Sequence, residues 1–221
     1  MVEGEFQALR ATLHFFDESV VLVRYDEAGG RTACPVMLSD VAQALAEVSM
    51  GSGLLPANVL FWQRLGGAER IGVYVPPGRW RVTARLEPDV AVEWNVPMPP
   101  LLWVGQGRSY RVWALKRRPT PPDGAQPLWR APLPNVYDDG PVCAGTVQFP
   151  VCGPATIGGA LERFFASEFN THLAGNRSLS HPQSVWELLA RLDGRRRFPL
   201  SDLVRDRMTL GDLVDAKDCR L

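Results

Sequence analysis

The sequence predicts an α+β fold in which strands and helices occupy separate stretches of the chain. Three observations predict it. Apolar residues alternate with period two through much of the first half, whereas the last third carries apolar stripes at helical spacing. Gly and Pro pairs punctuate the first half at short intervals, which makes successive strands antiparallel neighbours. A proline-crowded segment separates the two textures.

The elements follow in order. Leu9, Ala11, Leu13 and Phe15 alternate with Arg10, Thr12 and His14, and residues 20–25 form a β-branched run. Residues 27–30 are a turn, and 31–37 return as a strand. These strands make an N-terminal β extension over residues 1–38. Ser39 then reads as a helix N-cap, with Val41, Ala42, Leu45 and Val48 at helical spacing over residues 40–50. Gly51 and Gly53 end that helix. A strand meander follows at 58–64, 69–75, 79–86, 101–104 and 110–115, with the third strand placed in line with the others.

From residue 116 to 142 seven prolines crowd the chain. Proline lacks a backbone donor, so this stretch reads as a long irregular connection. Trp129, Tyr137 and Phe149 mark it as packed. Helical spacing resumes over residues 158–171 (Leu161, Phe164, Phe165, Phe169), a stripe that reads as core. A second helix is expected to open at Ser180-His181-Pro182, to bury Val185, Leu188, Leu189 and Leu192, and to close at Asp193-Gly194. Thr209 and Ser201 are candidate caps of short terminal helices. The domain reading is therefore an extension at 1–38, a main domain at 39–194 and a helical tail at 195–221.

Composition excludes several function classes. The chain has 221 residues, 46% hydrophobic and 22% charged, with Lys plus Arg and Asp plus Glu each totalling 24. A chain of zero net charge is poorly suited to nucleic acid as its main partner. No segment has the roughly 18 consecutive apolar residues of a membrane span, and the N-terminus lacks an apolar signal core, so a cytoplasmic location is expected. Cys34, Cys143, Cys152 and Cys219 are scattered without a C-x-x-C pair, which predicts reduced thiols, no disulfide framework, no metal and no cofactor. The Lys116-Arg117-Arg118 and Arg195-Arg196-Arg197 runs read as solvated surface, with partner docking as the alternative.

Chemistry concentrates where the proline-rich segment ends, in Leu133-Pro134-Asn135-Val136-Tyr137-Asp138-Asp139-Gly140-Pro141-Val142-Cys143. Asp-Asp-Gly is a turn signal that folds the segment back and lets Asn135 and Cys143 face one point. A thiolate is a nucleophile, and an amide N–H beside it stabilises charge on an attacked carbonyl oxygen. Taken alone, Cys143 reads equally as an inert buried thiol, and Asn135 as a turn residue. His172 reads first as a partner of a helix C-terminus, then as a candidate base.

This eleven-residue run resembles the signature of ubiquitin-conjugating enzymes, in which a His-Pro-Asn triplet precedes the acceptor cysteine by a short turn. More narrowly, with Phe164-Phe165-Ala166-Ser167-Glu168-Phe169-Asn170-Thr171-His172, the chain is similar to the prokaryotic ubiquitin-conjugating family D, the PRTRC system protein B group. The resemblance covers roughly residues 39–194. It implies a UBC-like fold: helix, antiparallel four-stranded meander, proline-rich active-site flap and C-terminal helices. It implies that Cys143 takes a ubiquitin-like modifier from a ThiF-type activating enzyme as a thioester and passes it to an acceptor nucleophile, with Asn135 as oxyanion donor. A deconjugating protease is a further implied partner, in a bacterial mobile-element or phage-defence cluster. Leu133 stands where the family has its loop-bracing histidine, and Tyr137 and Trp129 are candidates for substitute packing. Asp138, Asp139, Glu168 and His172 are candidates for the acid that prepares the incoming amine. Two other readings stand beside this one. The first is a non-catalytic binding module on the same fold; the second is a cysteine hydrolase using Cys143 and His172.

Overall fold

The computed structural model describes residues 10–17, 19–26, 28–46, 52–65, 68–87, 90–120, 123–171 and 173–216. The chain forms two compact units, Met1–Gly51 and Ser52–Leu221. In the first, β1 (Ala11–Phe15), β2 (Val20–Tyr25) and β3 (Arg31–Val36) make an antiparallel sheet. The β2–β3 turn is held by Asp26, whose Oδ1 accepts from the Ala28 and Gly30 N–H groups at 3.0 and 2.7 Å. Helix α1 (Leu38–Ala46) follows. It belongs to this first unit, whereas the sequence reading set it at the head of the main domain. The Met37 carbonyl accepts from the N–H groups of Asp40 and Val41, so Met37 holds the capping position and Ser39 lies inside the first turn. The expected end of this helix, at residues 47–51, lies outside the described residues.

The second unit is mostly sheet. Its first half contains β4 (Val59–Leu65), β5 (Ala68–Val75), β6 (Gly78–Glu87), β7 (Val90–Met98), β8 (Leu101–Gln106) and β9 (Ser109–Ala114). Then come β10 (Pro127–Arg130), α2 (Ile157–Ala166), β11 (Glu168–Phe169), α3 (Val185–Leu192), a 3-10 turn at Leu200–Asp202, β12 (Arg205–Thr209) and α4 (Leu210–Asp215). A six-stranded sheet has the order β12-β10-β9-β8-β5-β4, and a separate three-stranded sheet has the order β11-β6-β7.

The meander is therefore interrupted. β5 pairs with β8, while β6 and β7 leave as a long hairpin, so the strand expected in line at 79–86 belongs to the other sheet. β7 itself was not anticipated, and it carries Pro97 as its next-to-last residue. It is an edge strand, where a missing N–H leaves no ladder bond unmade. Helix α2 ends at Ala166, short of the predicted residue 171, and the chain extends so that Glu168 and Phe169 pair in parallel with β6. Helix α3 begins at Val185 with Ser184 as N-cap, later than Pro182, and closes at Asp193 and at Gly194, whose φ is +73°. The supposed helical tail is an integral layer: β12 pairs with β10, and α4 opens with a capping box between Thr209 and Asp212. Ser201 lies inside the 3-10 turn.

Both faces of the large sheet are covered, which explains the unbroken apolar run Leu101–Val104. Leu101 and Trp103 enter one core with Tyr110, Val112, Ile157, Phe164 and Leu189. Leu102 and Val104 enter a second core with Trp113, Leu115, Leu210 and Leu213. Over the hairpin, Trp80 stacks on Phe165 at 4.0 Å and Trp94 meets Trp186 at 5.7 Å. No helix among the described residues is long and apolar enough to cross a membrane.

Candidate functional site

The proline-rich connection is irregular but tightly held. Pro127 occupies the first position of β10, where proline is tolerated. Trp129 and Arg130 pair with Ala114 and Trp113 of β9. Past β10 the chain stays along the same edge of β9, and residues 131–136 are all buried.

The Asp-Asp-Gly turn forms as its sequence suggests. Tyr137 N–H donates to Pro141 O at 2.8 Å and Gly140 N–H to Tyr137 O at 3.0 Å, the pattern of a three-residue hairpin loop closed by a glycine. Gly140 has φ +98°. Val136 and Val142 form an antiparallel bridge, and Cys143 N–H donates to Asn135 O at 2.8 Å. Asn135 and Cys143 are thus joined across the base of the hairpin. The hairpin is in turn tied to β9, because Val142 N–H reaches Tyr110 O and Val112 N–H reaches Gly140 O, each at 2.9 Å.

Exposure differs along this hairpin. Tyr137, Asp138 and Asp139 at the tip are exposed, and Cys143 is partly exposed. Asn135 is buried with φ +56°, a left-handed conformation that asparagine tolerates better than most residues. Its backbone holds the hairpin, while its side-chain oxygen is buried without a partner. Electrostatic interaction with Cys143, followed by a hydrogen bond to it, raises the Tyr137 phenol above its ordinary range, so the hydroxyl stays protonated beside the thiol. Cys152 differs: it is buried, and that burial, opposed by a hydrogen bond from the Ile71 backbone, pushes its thiol up to about 11. Cys143 is therefore the accessible thiol among the described cysteines of this unit. Cys219 lies outside the described residues.

Arg177 braces the hairpin, and sequence reasoning missed it. It is 1% exposed. Its guanidinium donates to the carbonyls of Val136 and Tyr137 and to Asp138 Oδ1. Arg130 Nη1 meets the other Asp138 oxygen at 3.0 Å. A planar fork of donors suits such convergent acceptors. Nothing in Ala174-Gly175-Asn176-Arg177 has a period that would single out this arginine. Ser178 and Ser180 just beyond it are fastened by Asp202, at 2.6 and 2.7 Å. Burial raises the Asp202 carboxyl, but those hydrogen bonds and the His181 charge outweigh it and leave it below its usual range.

Leu133 is fully buried in the first core, so it gives packing where a histidine would give hydrogen bonds. Trp129 packs against the same core as Leu133 and lies under Lys116 at 5.0 Å, while Tyr137 faces the thiol. We expect Leu133→His to lower stability by about 2–3 kcal/mol, because an imidazole would lose water without gaining a partner. Urea unfolding measures this; an unchanged midpoint would mean that the pocket already accommodates a polar ring.

The candidate acids separate clearly. Asp138 is committed to Arg177 and Arg130. Glu168 is held by Arg85 through two contacts of 2.9 and 3.0 Å, and that hydrogen bonding lowers its pKa. Asp139 makes no ion pair among the described residues and lines a groove of about 260 Å³ with Arg108, Arg111, Val142 and Ala144, the last two flanking Cys143. His172 lies outside the described residues. No cluster of metal-ligating side chains occurs among the described residues.

No curated protein and no solved structure matches the chain. One family model does, that of prokaryotic E2 family D, over residues 37–205 and hence across the whole hairpin and the arginine that braces it: the chain belongs to this family.

Proposed function

We propose that Cys143 is the acceptor of a ubiquitin-conjugating-type carrier with a UBC-like arrangement of elements. The Cys143 thiolate attacks the thioester carbonyl at the C-terminus of a ubiquitin-like modifier held by an activating enzyme. The activating enzyme's thiolate leaves, and the modifier now rides on Cys143. An acceptor nucleophile then attacks the same carbonyl; for an amine, an amide bond forms, the amine loses a proton and the Cys143 thiolate leaves. In each step negative charge develops on the carbonyl oxygen, and in the transfer to the acceptor the Asn135 amide is its donor. Asp139 orients the acceptor.

The single observation that carries this reading is the hairpin. It joins Asn135 to a partly exposed Cys143 by a 2.8 Å backbone bond within a chain of the E2 family. The antiparallel run β4, β5, β8, β9 gives further support, since it keeps four neighbouring strands ahead of the cysteine despite the inserted hairpin. The loss of the family histidine favours a non-catalytic module only if the loop lacks another brace, and Arg177 supplies one.

Incubation with modifier, activating enzyme and ATP is expected to give an adduct that reducing agent removes. Cys143→Ala abolishes it. Asn135→Ala still accepts the modifier but discharges it to an amine at least about a hundredfold more slowly. Adduct formation by Cys143→Ala at wild-type yield would end this reading. Stable complexes without any thioester would establish the binding module instead.

A further inference from the structure

Two basic runs about 80 residues apart, Lys116-Arg117-Arg118 and Arg195-Arg196-Arg197, converge in space. Lys116, Arg117, Arg196 and Arg197 line one groove of about 590 Å³ together with Arg79, and no acidic side chain among the described residues lines it. In a chain with 24 basic and 24 acidic residues this is a local excess, not a property of the whole surface.

The cations are not equally free. Arg79 is occupied by the carbonyls of Arg195 and Asn95. Arg117 pairs with Asp123 at 2.5 Å, and Lys116 rests on the Trp129 ring. Arg196 and Arg197 are exposed and make no ion pair or hydrogen bond among the described residues. Below them the groove is apolar, with Met98, Phe198 and Leu200 between the rigid walls of Pro97, Pro99 and Pro100.

Its location separates it from the thiol. Lys116 lies beyond the C-terminal end of β9, whereas the cysteine hairpin is tied to Tyr110, Arg111 and Val112 near the other end. Five residues of extended chain from Arg111 to Lys116 span roughly 17 Å.

We propose that this groove docks an acidic, apolar-anchored peptide segment of a partner protein. Arg196 and Arg197 bind its carboxylates, and the partly exposed Leu200 receives an apolar side chain. A guanidinium presents paired donors that match a carboxylate, and two of them with no internal partner are open to an incoming anion. A nucleic-acid strand fits less well. Such grooves use exposed aromatic rings as stacking platforms, and the aromatic rings here, Tyr74 and Phe198, are each only 8% exposed.

The test is fluorescence-anisotropy titration of the full-length protein against a fluorescein-labelled peptide rich in Asp and Glu and carrying Leu. A peptide of the same length with Lys in place of the acids and an oligo-dT strand serve as the other arms. The acidic peptide is expected to bind, to weaken as salt rises, and to lose at least about tenfold in affinity with Arg196→Glu/Arg197→Glu. The milder Arg196→Gln/Arg197→Gln pair loses part of that, and both variants melt as wild type does because these side chains are exposed. Equal binding by wild type and the Glu variant overturns the proposal, as does equal binding of the Lys peptide. Tighter binding of oligo-dT than of the acidic peptide at physiological salt reassigns the groove to nucleic acid. The titration uses unmodified protein, so its outcome is separate from whether Cys143 carries an acyl group.

Discussion

Arg177→Met is expected to lower the unfolding free energy by about 1–3 kcal/mol, the cost of leaving a buried carbonyl without its donor. Methionine roughly fills the volume but leaves the Val136 carbonyl without this donor, while the Tyr137 carbonyl keeps the Gly140 N–H. Asp138 keeps Arg130 and stays exposed, so the damage is concentrated on the Val136 carbonyl at the neck of the hairpin. The consequence for the site is a loosened hairpin. Thioester formation on Cys143 falls, and alkylation of that thiol by maleimide accelerates relative to wild type. Arg177→Lys restores charge but not the fork, and is expected to recover only part of both. Urea unfolding, a thioester time course and maleimide kinetics read the three effects. Wild-type stability together with wild-type thiol reactivity in Arg177→Met would show that the hairpin stands without this arginine.

The brace also shows where sequence reading stops. The hairpin itself was legible, because Asp-Asp-Gly is local turn chemistry and needs no knowledge of the rest of the chain. Strands β8 and β9 were legible because both faces of the large sheet are buried, and the apolar runs say so directly. β7 shows alternation in Val90, Val92, Trp94 and Val96 but runs into Pro97, and the sequence reading passed over it. Whether a proline is tolerated depends on whether the strand lies at an edge, and that is a tertiary fact. Arg177 belongs to the same class. Its role follows from a loop between α2 and α3 passing beneath a hairpin some 40 positions earlier in the chain, and no local pattern encodes that approach. Leu133 alone pointed to an unbraced loop, since the compensating residue is distant in sequence. The two arginine-rich runs were seen singly, and only the fold makes them one groove.

Gly140→Ala is the substitution expected to act most directly on the hairpin. Two separate costs meet at this position. Gly140 has φ +98°, where an L side chain is strained. A Cβ built on it would lie 2.5 Å from both Cε2 and Cζ2 of Trp113, far inside van der Waals contact. Trp113 is fully buried in the second core. The conformational part amounts to about 1–2 kcal/mol and the overpacking to about 1–3 kcal/mol, for a combined loss of about 2–5 kcal/mol. Gly107 separates the two parts, because its φ is +57° and nothing lies within 4 Å of an added Cβ. Gly107→Ala should therefore show the conformational cost alone, and the difference between the two variants in urea unfolding measures the contact with Trp113. Trimming the ring with Trp113→Phe in the Gly140→Ala background is expected to recover part of that difference, even though Trp113→Phe by itself destabilises. Gly140 also supplies the carbonyl that Val112 N–H uses to hold the turn on β9. Relief of the clash therefore moves the turn away from the sheet and takes the Asn135–Cys143 juxtaposition with it, so thioester yield on Cys143 falls in Gly140→Ala and not in Gly107→Ala. Equal losses of stability in the two alanine variants would show that the Trp113 contact relaxes without cost.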